Sequence, residues 1–568
     1  VALFYRRWPA ASERPAGVVV LLHRGHEHSG RMAHLVDELE LPDFAFYAWD
    51  ARGNGQSPGD RGDAPGFAAL VADLDAFVQH IRAVEGVETS EIAIVAQSVG
   101  AVIASAWVHD FAPTVRALVL ASPAFRVRLY VPFARLGLTV LRKIYGGFNV
   151  NSYVAAPMLS HDVARVRSYD TDPLITRPIS VDLLLALAHA GDRVVDDARA
   201  ITTPTMLLIS EHDAVVEHGP QHAFFVALGA ATKERHVLEA FRHDTLGERD
   251  RAPVVAQVRR FLLDRFAAPV ETFSWLDADR RSYTRDEAEA LASPVSPFSV
   301  AGLRWALARA ALRFGALWSN GLSVGHRTGF DSGSSLDYVY RDEASGVGAL
   351  GQLIDRLYLD QIGWRGIRER KALVEALIGS ALKRLKAAGE PCVILDVAAG
   401  HGRYVLDALV GVEVWPDRVL LRDAALENVE AGQCLIAERG LGWVASFAVS
   451  DAFDADAVAA TDPRPTLGVV SGLYELFSDN AAVARSLAGL ARAIPPGGYL
   501  VTTCQPWHPQ LEAIARALTS HREGSAWVMR RRTQAEMDQL VAAAGFTKVA
   551  HRVEEHGMFT VSLSRRDG

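Results

Sequence analysis

Two successive α/β domains are the architecture this sequence predicts, and three observations predict it. Short apolar runs alternate with amphipathic helical stretches twice along the 568 residues, the pattern of strands buried on both faces between crossover helices. Between the two series lies a Pro-, Ser- and Gly-punctuated stretch, which reads as a linker. No repeat relates the two series, so the domains are expected to differ. The length agrees, since it exceeds what one core comfortably covers.

The first series places strands at 18–22, 44–49, 92–96, 117–120 and 205–209, with an amphipathic helix over 67–84. The linker is expected over 269–345, with an amphipathic helix at 299–319 whose apolar arc is Val300, Leu303, Leu307, Ala310, Phe314, Leu317 and Trp318. Strands at 393–398, 419–423, 446–451, 467–472 and 499–503 form the second series, and a terminal hairpin pattern follows.

Composition narrows the function class. The balance of 59 Lys+Arg against 67 Asp+Glu leaves a net charge of -8, which offers nucleic acid no attraction. Cys392, Cys434 and Cys504 form an odd, unclustered set, so neither a disulfide framework nor a metal site is expected. The reading has no leader pattern and no apolar run near the roughly 18 residues a membrane span needs. A cytoplasmic chain is therefore expected. Two acid-free windows qualify this. Arg126, Arg128, Arg135, Arg142 and Lys143 are among the cations between Asp110 and Asp162, and Arg304, Arg309 and Arg313 lie between Glu289 and Asp331. Cations interleaved with apolar residues suit peripheral contact with an anionic inner membrane surface; packing between domains is the plainer alternative for 299–319.

Chemistry first enters at Ser98. The run Ile-Ala-Ile-Val-Ala-Gln-Ser-Val-Gly reads as a strand, an abrupt turn and a helix, with small Ala96 and Gly100 two residues either side of the serine. That is the setting of an activated serine nucleophile. The order nucleophile, acid, histidine is met by Ser98, Asp213 and His243, with Glu211, His212 and Asp244 as competing positions. The loop after Leu22, His-Arg-Gly-His-Glu-His-Ser-Gly-Arg, lies where a second oxyanion donor is expected, so the backbone N–H groups of Gly25 and Val99 would face the developing charge.

On these residues, together with Asp50-Ala-Arg-Gly-Asn-Gly-Gln-Ser, the region 1–268 resembles the monoacylglycerol lipase and lysophospholipase branch of the α/β-hydrolases, the serine aminopeptidase S33-like group. It departs from the pattern at Ala96, where Gly is usual, and at bulky Arg24 and His26. Asp50, Arg52, Gly53 and Gly55 read as loop architecture. The resemblance implies a helical cap at about 122–200 and a lipid-like ester substrate.

A second site follows the run Val-Ile-Leu-Asp-Val-Ala-Ala-Gly-His-Gly-Arg. A buried strand ends in Asp396 and enters a turn where Gly400 and Gly402 remove side chains from the path of a ligand. Asp423, at the end of the next strand, can bind ribose hydroxyls, and Asp451 closes a third strand near where an adenine would lie. Asp396-x-Ala398-x-Gly400-x-Gly402, the spacing to Asp423, and the runs Pro495-Pro-Gly-Gly-Tyr-Leu and Arg532-Thr-Gln-Ala-Glu-Met make 346–568 resemble class I S-adenosylmethionine-dependent methyltransferases. That resemblance implies S-adenosyl-L-methionine as cofactor, with Gly472 on the cofactor side and Tyr474 and Glu475 near the methyl acceptor, whose identity it leaves open. Residues 325–338 are candidates to close over the site.

The fold expected is thus an α/β-hydrolase with a helical cap followed by a Rossmann-like class I methyltransferase, a bifunctional fusion. Two alternatives stand beside it: a lipid-surface scaffold with degenerate enzyme domains, and a hydrolase carrying an NAD-binding second domain.

Overall fold

The computed structural model describes residues 2–522 and 524–568; Val1, the first residue of the expected N-terminal domain, lies outside the described residues. The chain divides into two units, Val1–Phe273 and Ser274–Gly568.

In the first unit the strands are β1 (Tyr5–Trp8), β2 (Gly17–Leu22), β3 (Phe44–Trp49), β4 (Ile92–Gln97), β5 (Ala117–Ala121), β6 (Asn149–Asn151), β7 (Pro178–Ser180), β8 (Thr205–Ser210) and β9 (Lys233–Leu238). Seven of them form one sheet in the order β1-β3-β2-β4-β5-β8-β9. β1 runs antiparallel to β3, and the other neighbours are parallel. Every residue of β2, β3, β4, β5 and β8 is buried, so helices must cover both faces. One face packs Phe46, Val95, Val119 and Met206 against Val258 and Phe261 of the helix Ala252–Ala267. Each such side chain, removed from water, contributes roughly 1.5–3 kcal/mol. The expected strands reappear with ends shifted by a residue or so, whereas the edge strands β1 and β9 were not legible. Their burial alternates and their sequences, YRRW and KERHVL, are charged, because an edge needs no apolar run.

Between β5 and β8 the chain forms the helices Ala134–Tyr145, Val163–Thr171 and Val181–Asp196 and the antiparallel pair β6 and β7. This is the position of the expected cap.

The second unit has β10 (Val393–Asp396), β11 (Arg418–Asp423), β12 (Ala445–Val449), β13 (Leu467–Val470), β14 (Tyr499–Cys504), β15 (Phe546–Val553) and β16 (Thr560–Arg566). Their order is β12-β11-β10-β13-β14-β16-β15. The first five are parallel, and β16 enters antiparallel to β14 and β15. The strand order reverses beside β10, so its carboxyl end faces the crevice where such sheets bind ligands.

The stretch read as a linker is corrected by the structure. From Ser274 onward it belongs to the second unit and forms the helices Ala278–Arg281, Tyr283–Ala292, Val300–Gly315, Asn320–Thr328 and Gly333–Arg341. Gly321 and Gly325 are packing residues, whereas Gly329, with φ 89°, ends the helix Asn320–Thr328 as punctuation does. A Cβ on Gly321 would lie 2.6 Å from a Tyr358 ring atom, and one on Gly325 would sit within the Phe330 ring's contact distance. Phe330 and Val339 are fully buried. The helix expected over 299–319 is Val300–Gly315, and Val300, Leu303, Leu307 and Phe314 of its anticipated apolar arc are exposed; Trp305 packs inward instead. Among the described residues, no helix is long and apolar enough to cross a membrane.

Candidate active sites

Ser98 occupies the step from β4 to the helix Val99–Asp110 with φ 54° and ψ -115°. A positive φ in a non-glycine residue costs free energy that surrounding packing must offset. The crowding explains the small neighbour: a Cβ on Gly100 would fall 2.6 Å from the His23 carbonyl oxygen. Ala96, paired with Leu22 across the sheet, is fully buried without displacing either strand.

The three residues picked from the sequence meet. His243 Nε2 lies 2.8 Å from Ser98 Oγ, and His243 Nδ1 lies 2.7 Å from Asp213 Oδ2. The other oxygen of Asp213 accepts the backbone N–H groups of Val215 and Val216 at 2.7 and 3.1 Å. Burial pushes the Asp213 carboxyl up, but His243 and these two N–H groups outweigh it, and the group stays below the usual carboxylate range. All three side chains are nearly buried. The competing positions separate: Glu211 and His212 are exposed, while Asp244 binds the Arg165 guanidinium and accepts from Gln97 Nε2 at 2.8 Å.

Gly25 and Val99 stand side by side at this site, since a Cβ on Gly25 would come 3.1 Å from Val99 Cγ2. Bulky Arg24 borders the same space, its guanidinium held by Glu27 at 2.6 Å and lying over the Tyr169 ring. His23 is structural, its Nε2 accepting the Ala51 N–H at 3.0 Å. Asp50 accepts the Ser29 and Gln56 N–H groups, each at 2.7 Å, which is the loop architecture expected. Ser98 and His243 open onto a cavity of about 470 Å³ walled by the cap residues Leu138, Leu141, Ile179, Leu184 and Leu187. These cap side chains make that part of the wall apolar.

In the second unit a cavity of about 550 Å³ lies at the ends of β10, β11 and β13. Ala398, Gly400, Asp423, Asp451 and Gly472 border it, as the sequence suggested. Gly400 (φ 57°) and Gly472 (φ 76°) both have left-handed backbone there. Asp423 also braces the turn, accepting the Gly400 and Ala425 N–H groups at 2.9 Å each. The facing rings of Phe453 and Phe477, with centroids 4.4 Å apart, supply apolar wall. Residues 331–334 border the cavity from outside the strand series, as expected of the covering segment.

Three assignments change. Gly402 is not on the cavity wall; a Cβ there would meet Leu421 Cδ1 at 2.5 Å, so its smallness serves packing. Tyr474 is buried in the core and donates to Ser486 Oγ at 2.9 Å, away from both large cavities of the unit. Asp396 stands behind the wall, fully buried, with Oδ2 lacking a hydrogen-bond partner; burial pushes its carboxyl up to about 7.

Glu475 does border a second cavity, of about 640 Å³, which shares Gly472 and Leu476 with the first. Its Oε1 accepts from Thr503 Oγ1 at 2.7 Å and faces Arg370 Nη1 at 3.7 Å. His508 lies on the same wall, and burial holds its imidazole down to about 4, hence neutral. Arg370 borders this cavity as well. The one candidate metal cluster among the described residues, Glu369, Glu555 and His556, borders neither cavity.

Residues 258–566, just over half the chain, match the family described as "Putative methyltransferase". The chain belongs to that family. Residues 13–250 match the family described as "Serine aminopeptidase, S33", so a hydrolase-like domain precedes the methyltransferase-like one. The Escherichia coli (strain K12) protein YnbC is 50% identical over 567 residues, spanning 100% of this chain and 97% of that one. A monoacylglycerol lipase of Mycolicibacterium smegmatis is 24% identical over 270 residues, 46% of this chain and 93% of that protein. The crystal structure of a Paleococcus ferrophilus monoacylglycerol lipase covers 47% of this chain and 100% of its own at 22% identity, with a TM-score of 0.43. In the second unit the antiparallel entry of β16 departs from the strand order typical of dinucleotide-binding sheets.

Proposed function

We propose that the chain is a bifunctional enzyme, a serine hydrolase of lipid-like esters fused to an S-adenosylmethionine-dependent methyltransferase. The observation that carries the hydrolase half is the single imidazole bridging Ser98 Oγ and Asp213. Ser98 Oγ attacks the ester carbonyl as His243 Nε2 takes its proton, and Asp213 stabilises the imidazolium. The N–H groups of Gly25 and Val99 receive the developing oxyanion, an effect worth about 2.7–4 kcal/mol per donor in comparable sites. His243 then returns its proton to the departing alcohol, and water releases the acid from Ser98. The apolar cavity beneath the cap and the likeness to a protein named monoacylglycerol lipase favour an ester bearing one long chain.

For the second half, Ala398, Gly400, Asp423, Asp451 and Gly472 would hold S-adenosyl-L-methionine, which supplies an electrophilic methyl group when bound. Bare backbone at Gly400 and Gly472 and carboxylates at two strand ends fit such a nucleoside. Catalysis then rests chiefly on positioning.

The exposed Phe133, Leu136, Ile144 and Tyr145 beside Arg135, Arg142 and Lys143 favour peripheral contact of the cap with an anionic membrane.

Labelling with a fluorophosphonate probe tests the first half: labelling is expected in the wild type and lost in Ser98→Ala, and equal labelling of both removes the nucleophile. Calorimetry with S-adenosylmethionine tests the second. Heat is expected in the wild type and its loss in Asp423→Ala, while absence of heat from a folded wild type refutes cofactor binding.

A further inference from the structure

We propose that the cavity bordered by Glu475 receives the methyl acceptor, and that the acceptor is a single-chain amphiphile whose head is an uncharged O–H or N–H donor. The proposal rests on the methyltransferase reading above and adds its substrate class.

Position makes this cavity the acceptor's. It shares Gly472, Leu476, Leu336 and Asp331 with the cavity assigned to the cofactor, so a ligand in each meets at that border. Glu475 lies three residues beyond Gly472 in the short turn after β13.

Chemistry specifies the head. Glu475 is only 8% exposed, and its Oε2 has no hydrogen-bond partner. A buried carboxylate oxygen left without a donor is costly, and an occupant that brings one recovers that cost. Oε1 is already engaged by Thr503, and Arg370 balances the charge from the side. An alcohol, phenol or amine satisfies Oε2; a carboxylate head brings a second negative charge and no proton. His508 is held neutral by burial and adds no positive charge to attract an acid.

The remaining wall specifies the tail. Trp305, Leu312, Ile354, Trp364 and Trp527 surround the cavity away from Glu475. Trp364 and Trp527 are stacked with centroids 6.2 Å apart. Phe314 and Leu357 also border it and are 66% and 57% exposed, so a chain emerging from the cavity continues along apolar side chains. An aliphatic tail matches this wall, and a polar substrate would leave it unsatisfied.

In the reaction an O–C or N–C bond forms at the acceptor as the S–C bond of the sulfonium methyl donor breaks. The electron pair stays on sulfur, and Glu475 Oε2 takes the acceptor's proton.

The test is calorimetry on the full chain in a Ser98→Ala background, with 1-dodecanol and dodecanoate as probes and S-adenosylmethionine as a parallel titrant. Ala513→Phe fills the cavity from the helix Leu511–Ala517. Ala308→Phe does so from Val300–Gly315 and serves if the first variant does not fold. The expected result is a dodecanol-binding component that either filling variant removes while S-adenosylmethionine heat persists. That component should prefer dodecanol over dodecanoate by about tenfold or more, as a hydrogen bond to a buried charge implies. Glu475→Leu should erase the preference. Dodecanol heat unchanged by both filling variants overturns the cavity assignment, and equal or stronger binding of dodecanoate overturns the head assignment. Failure of S-adenosylmethionine to bind, with the amphiphile component intact, would instead count against the methyltransferase reading alone.

Discussion

Gln97 Nε2 donates to Asp244 Oδ1 across 2.8 Å, joining the residue before the nucleophile to the residue after the imidazole. Gln97 also reaches the His243 carbonyl at 3.4 Å, and its Oε1 accepts the Leu246 N–H at 3.4 Å. The side chain is buried and holds the segment carrying His243 against the end of β4. Gln97→Ala is therefore expected to lower kcat for p-nitrophenyl decanoate by about tenfold with little change in KM, at a stability cost of about 1–3 kcal/mol for the orphaned Asp244 contact. A Gln97→Glu variant should fare worse, because it faces the Asp244 carboxylate. Unchanged kcat in Gln97→Ala would show that His243 is positioned without this clamp.

Asp396 sets an opposite pH signature in the second unit. Burial raises its carboxyl to about 7 against the Tyr404 hydroxyl and the Ala398 N–H. The unfolded chain releases this proton near pH 4 and the folded one near 7, so stability falls as pH rises through that window and is level above it. The cost at pH 8 is at most about 4 kcal/mol on this count. Asp396→Asn removes it. The Tm advantage of the variant should be absent at pH 4 and grow up to pH 7–8; a constant difference would contradict the assignment.

Gly400 and Gly402 should separate in their effects although they are two residues apart. Gly402→Ala forces a left-handed alanine into Leu421 and is expected to lose about 2–4 kcal/mol of stability, while the folded fraction keeps S-adenosylmethionine affinity. Gly400→Ala meets only the Gly333 Cα, at 3.4 Å, on the cavity wall. Its main expected effect is a fall in affinity of about tenfold, by calorimetry, with about 1–2 kcal/mol of strain. Identical profiles for the two variants would refute the distinction.

The cap makes a separate expectation. Phe133 is 84% exposed and Ile144 65%. The double variant Phe133→Asp, Ile144→Asp should reduce cosedimentation with phosphatidylglycerol vesicles, and high salt should weaken wild-type binding. Wild-type chain that stays in the supernatant at low salt disproves membrane contact.

Tyr474→Phe should cost about 1 kcal/mol through Ser486 and leave S-adenosylmethionine binding unchanged. A large loss of cofactor heat would return Tyr474 to the site.

Much of this was legible because the chemistry sits at strand ends. Ser98, Asp213 and His243 follow β4, β8 and β9, and the central strands are apolar runs that a period of two or a continuous stretch reveals. What escaped depends on which neighbour an element meets. The helix Val300–Gly315 has apolar residues on more than one arc, and the wheel favoured the one that ends up exposed, while Trp305 packs inward. Gly402 and Tyr474 match family positions, yet whether a side chain faces a ligand or Leu421 or Ser486 is decided by packing across the sheet. Gly321 and Gly325 looked like linker residues because a close helix approach and a turn call for the same missing Cβ.

Gly472 has a further implication for how the two chambers could change. It borders both chambers at once, with Arg370 Nη2 3.0 Å from where its side chain would begin. A side chain there disturbs both chambers at once, whereas remodelling on the helices Val300–Gly315 and Leu511–Ala517, which border the larger chamber and not its neighbour, reshapes one and leaves the other intact.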